Sequence, residues 1–166
     1  MAIVGGLRAR LIRESLFQHI ETALGDLGWT TIEFLASPKP NDEAIELNTL
    51  VLSDEDLIED QAEMGSLLAE HRWTFYVDFY AADEAIGLHV IRDVKDIVGG
   101  RIPSIGVQRP NFPVYDFTQA TPPVEFYCDI EDVVVDRAHD FPKPWQKYWY
   151  ACRFTVVDHY ADEDYS

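Results

Sequence analysis

The sequence predicts an α+β domain: a mixed, mostly antiparallel sheet with two main helices packed on it. Three observations carry this reading. Two amphipathic helical stripes occur, at 7–27 and 83–98; the remaining runs alternate like strands and mostly follow one another; and strand–helix–strand units are too few for a wholly parallel sheet. With 166 residues, 47% of them hydrophobic, the chain suits one core of ordinary size and is short for two, so 1–166 is expected to be a single domain.

In the first stripe Leu7, Leu11, Leu16, Ile20, Leu24 and Leu27 recur at steps of three to five residues, while Arg8, Arg10, Arg13, Glu14 and Glu21 take other faces. Gly25 and Gly28 stand where a left-handed C-terminal cap is wanted, and the β-rich run 29–35 then predicts a first strand. Pro38 and Pro40 turn the chain before a short strand at Leu50-Val51-Leu52. Residues 53–70 admit two readings, a helix capped at Ser53-Asp54-Glu55-Asp56 or an extended arm. The clearest strand is 73–80, with Trp73, Phe75, Val77 and Phe79 on one face and Thr74, Tyr76, Asp78 and Tyr80 on the other.

Asp83 is placed to cap the second helix, whose stripe Ile86, Val90, Ile91, Val94 and Ile97 stops at Gly99-Gly100. Pro110 and Pro113 read as a proline-broken link. Beyond it, the alternating runs 124–137 and 145–158 predict a closing antiparallel pair, joined by a stiff turn containing Pro142 and Pro144.

Lys plus Arg number 13 against 30 Asp plus Glu, a net charge of −17, so free nucleic acid and anionic membrane surfaces are repelled on average. No run approaches the roughly 20 apolar residues of a membrane span, and 1–6 is too brief for a signal sequence, so a soluble protein made in the cytoplasm is expected. Cys128 and Cys152 fall in separate predicted strands, where free, reduced, buried thiols are expected.

Catalytic and ligand motifs are not expected. Gly5-Gly6 and Gly99-Gly100 lack the strand-before, helix-after setting of a phosphate loop. His19, His71, His89, His139 and His159 have no His or Cys partner at i,i+4, so no metal ion is expected. The acidic run Asp54, Glu55, Asp56, Glu59, Asp60 and Glu63 lacks the ligand alternation and central glycine of a calcium loop and reads as a solvated surface. A small hydrolase using Asp78 with His89, or Asp158 with His159, rests on residue type alone.

The unusual feature is aromatic density. Trp145, Tyr148, Trp149 and Tyr150 stand late in the chain, with Tyr76, Phe79 and Tyr80 in the central strand. In the late strand Tyr148, Tyr150, Cys152, Phe154 and Val156 share one face and Trp149, Ala151, Thr155 and Val157 the other, so neither face is cleanly polar. Helices or another subunit could supply the second cover, and Tyr80, Trp145 and Trp149 are the candidate subunit-interface residues.

This order of elements, together with Glu63-Met64-Gly65-Ser66 ahead of Arg72-Trp73-Thr74-Phe75-Tyr76-Val77-Asp78-Phe79-Tyr80-Ala81, resembles the tail terminator proteins of long-tailed bacteriophages, above all those of actinobacteriophages. The resemblance spans nearly the whole chain, including the basic first helix with Arg8, Arg10 and Arg13. It implies a virion structural protein without enzymatic activity or cofactor, forming a hexameric ring at the head–tail junction. Such a ring caps the finished tail tube, ends its growth, meets the head-side connector and lets DNA through an acidic lumen without specific binding. A different neck or tail-completion protein is the alternative of the same class.

Overall fold

The computed structural model describes residues 5–35, 48–54, 58–60, 68–81, 83–102, 106–107, 110–137 and 149–161. In chain order the elements are α1 (Gly5–Asp26), β1 (Glu33–Leu35), β2 (Thr49–Asp54), β3 (Ile58–Asp60), β4 (Leu68–Tyr80), α2 (Glu84–Val98), β5 (Arg101–Ile102), β6 (Gly106–Val107), β7 (Asn111–Tyr115), β8 (Val124–Arg137) and β9 (Trp149–Ala161). The main sheet runs β1-β2-β4-β9-β8-β7, with β3 also paired to β4. Among the described residues only β1 and β2 pair in parallel. The architecture is therefore α+β, a mostly antiparallel mixed sheet with two helices.

Both helices lie on one face. Phe75, Val77 and Phe79 of β4 stand opposite Phe154, Cys152 and Tyr150 of β9, and all six are buried. Leu50 and Leu52 of β2 extend this layer on one side, and Cys128 and Ile130 of β8 extend it on the other. Against it α1 sets Leu11, Ile12, Leu16, Ile20 and Leu24, and α2 sets Val90, Ile91, Val94 and Ile97. Each of these Leu and Ile side chains, fully removed from water, contributes on the order of 1.5–3 kcal/mol, which is what holds the helices to the sheet.

The helix ends follow their sequence signals. Leaving α1, Gly28 adopts φ +97 and Trp29 donates its N–H to the Leu24 carbonyl at 3.1 Å. The Asp83 side chain accepts from Ile86 N at 2.8 Å to start α2, and Gly99 N closes it on the Lys95 carbonyl at 2.8 Å. Within α2, a Cβ on Gly87 would lie 2.7 Å from Tyr150 Cδ2, so the bare backbone is what lets the helix rest on β9.

Several expectations need correction. The strand expected over 29–35 is only Glu33–Leu35, because the cap bonds of Trp29 and Thr30 hold the preceding residues off the sheet. The proline-broken link contains β7, with Pro113 opposite Tyr127. Proline survives there because β7 is the edge strand, where a missing N–H can face away from the ladder. The closing antiparallel pair is present as expected, in β8–β9, and β9 in addition pairs with β4 over its full length, so it lies between the two. Of 53–70, the described parts are extended, in β2, β3 and β4, which favours the arm over the helix. The turns expected around Pro38 and Pro142 lie outside the described residues.

Candidate functional site

The face of the sheet turned away from α1 and α2, the far face, carries the residues singled out above. Alternation in β4 assigns it Thr74, Tyr76, Asp78 and Tyr80, and register adds Trp149, Ala151 and Arg153 from β9. At one end, Tyr80 and Trp149 stack with ring centroids 5.5 Å apart and planes 27° apart, and with Val51 and Leu35 they form a second, smaller apolar cluster. Tyr80 is already buried within the single chain, whereas Trp149 is half-buried. Trp145, the third candidate, lies outside the described residues.

Asp78 sits inside this cluster, directly opposite Val51 on one side and Ala151 on the other. Its carboxylate accepts one hydrogen bond, from the Trp149 indole N–H at 2.9 Å. Burial pushes the Asp78 carboxyl above its usual range, and the indole bond offsets only part of this. The Tyr80 hydroxyl is raised too, by burial first and by the neighbouring carboxylate second.

At the other end of the sheet Arg8 makes a two-pronged bond to Asp158, Nε to Oδ2 at 2.7 Å and Nη2 to Oδ1 at 2.8 Å. The guanidinium also lies 3.5 Å over the Phe126 ring. Arg8 is 7% and Asp158 3% exposed, so this is a buried ion pair joining the first turns of α1 to β9.

Of the two acid–histidine pairings drawn from residue type, Asp78 and His89 are not brought together, and the His159 side chain of the other lies outside those described. Asp78 faces away from the helices, whereas His89 is exposed on α2 and packs edge-on to Trp29, so the sheet separates them. The Asp158 carboxylate is occupied by Arg8. His19 lies against Phe112 at 6.0 Å, where burial lowers its pKa, giving a neutral ring in a packing position. Cys128 and Cys152 are buried free thiols; burial pushes Cys152 up to about 12 and raises Cys128 as well, which removes nucleophilic character at neutral pH. Among the described residues no group of three or more His, Cys, Asp or Glu side chains could hold a metal ion, and no helix is long and apolar enough to cross a membrane.

The far face of β8 was not singled out by sequence reasoning. Cys128 and Ile130 point to the core, so Tyr127, Asp129 and Glu131 point away, and Tyr127 is 60% exposed. After Glu131 a bulge inserts one residue, with Asp132 at φ +55, and Val134 then stands opposite Arg153 on the same face, 43% exposed. A lone tyrosine in the acid-bearing half of the alternation was the available signal for Tyr127. Val133-Val134-Val135 carries no such signal, because only the bulge decides which valine turns outward.

Compared with known proteins, the chain matches no family model and no curated protein.

Proposed function

We propose that this protein is a non-catalytic virion part: a ring of six copies that caps a phage tail tube, ends its growth and joins it to the head-side connector. One observation carries the self-association on which this depends. Tyr127 and Val134 are exposed on a sheet face over which neither α1 nor α2 lies, and a long antiparallel sheet ordinarily leaves such a face polar. The net charge of −17 supports the same reading, since an acidic lumen does not retain a passing polyanion. The extended resemblance supplies the place in the virion, with tail tube and connector as partners.

The test is growth of purified tail tubes with and without the protein, followed by electron microscopy and native mass. A terminator arrests growth and adds a ring at one tube end. Tubes that lengthen as before, beside a protein that remains monomeric, would remove the proposal.

A further inference from the structure

The edge of a sheet is a row of unpaired N–H and C=O groups on which another chain can pair. In β7 that row is nearly stripped of donors. The Pro110 carbonyl accepts from Ile130 N at 2.8 Å and Asp116 N donates to the Pro123 carbonyl at 3.0 Å, so both point into the sheet, toward β8. Backbone groups alternate in direction along a strand, which turns Phe112 and Val114 toward β8 as well and leaves Asn111, Pro113 and Tyr115 facing outward. Pro113 has no N–H to offer. Tyr115 has one, and donates it to Ser15 Oγ of α1 at 2.9 Å. Ser15 is only 1% exposed, and one turn further along α1 His19 stacks on Phe112, so the helix lies along β7 and reaches its rim. Among the described residues Asn111 alone keeps an outward donor on this edge.

The donors are missing where a second copy would need them. Two β7 edges meeting antiparallel about Pro113 would set Pro113 against Pro113, with Asn111 against Tyr115 on either side. Each facing pair could exchange two hydrogen bonds. Proline removes both from the central pair, and Ser15 removes one from each flanking pair. We infer that Pro113 and Ser15 together guard the β7 edge, closing it to strand addition by another copy of this chain. The guard goes beyond the ring reading and does not rest on it: it bars one edge and leaves contacts between copies to other surfaces.

The test compares full-length wild type with Pro113→Val, which restores the central N–H, and with Pro113→Val/Ser15→Ala, which also releases Tyr115. Light scattering over a dilution series reads association, and amide hydrogen exchange reads where it occurs. Val94→Ala, a truncation in the core side of α2, controls for association caused by a loosened fold. Both edge variants should associate roughly tenfold or more tightly than wild type, the double variant most, with exchange at 111–115 slowing as concentration rises. Val94→Ala should show no such slowing. Edge variants that stay folded by thermal unfolding and associate no more than wild type would overturn the guard, leaving Ser15 as a docking bond alone. Association without slowed exchange at 111–115, or the same slowing in Val94→Ala, would overturn it as well. Should the double variant fail to fold, Pro113→Val, which keeps the Ser15 bond, decides by the same criteria.

Discussion

Asp158 and Arg8 are each other's solvation: with both buried and two bonds between them, neither can be lost alone without leaving a charge in the interior. Arg8→Met should therefore cost about 3–5 kcal/mol in urea unfolding, and Arg8→Met with Asp158→Leu should recover most of it. An Arg8→Met variant as stable as wild type would contradict this. Asp78 works in the opposite direction. Its folded carboxyl holds a proton more tightly than the unfolded one, near 3.8, so the charged form weighs against the fold. That penalty is complete above the raised folded value and gone below 3.8. Asp78→Asn keeps an acceptor for the Trp149 indole without the charge, and should raise stability at neutral pH by about 1 kcal/mol, with no gain below the unfolded value. Thermal melts across pH check it. At this scale the sequence was least legible. Arg8 reads as one basic residue on a helix and Asp158 as half of an acid–histidine pair, and nothing local joins residues 150 positions apart.

Elements were more legible, because period and caps are local. The α1 stripe has Leu16 fully buried at its centre, so Leu16→Asp should cost several kcal/mol, on the order of 3 or more, by burying an unpaired charge. Unchanged thermal stability would refute that packing. Asp83 and Gly99 mark α2 as the sequence places them, and β8 occupies the run 124–137. What failed were features that depend on neighbours: Pro113 is compatible with β7 only at a sheet edge, and the register of β8 changes at its bulge. The bulge makes its own prediction. At φ +55 Asp132 occupies the left-handed region, so Asp132→Gly should be neutral or stabilising by up to about 1 kcal/mol. Asp132→Val should destabilise by about 1–2 kcal/mol, since a branched side chain fits that backbone poorly. Denaturant midpoints distinguish the two, and the reverse order would mean the bulge is misplaced.

In the whole molecule the strand nearest the end of the order α1 to β9 stands in the middle of the sheet. β9 pairs along one edge with β4 and along the other with β8, and through Asp158 it also receives α1. A chain ending at residue 137 should therefore lack cooperative unfolding by calorimetry, although it retains both helices; a sharp transition in that fragment would show that the two halves can close without their shared strand. The class of fold could be read from stripes and alternation, but not this interleaving, since pairings between distant strands leave no local period. It matters for the order of events during synthesis. As the polypeptide leaves the ribosome from its first residue, β4 and β8 have no common partner until 149–161 have been made. Until that last step β4 and β8 each keep one edge open, so a half-made chain presents two unsatisfied strand edges that its own final strand is the one to close.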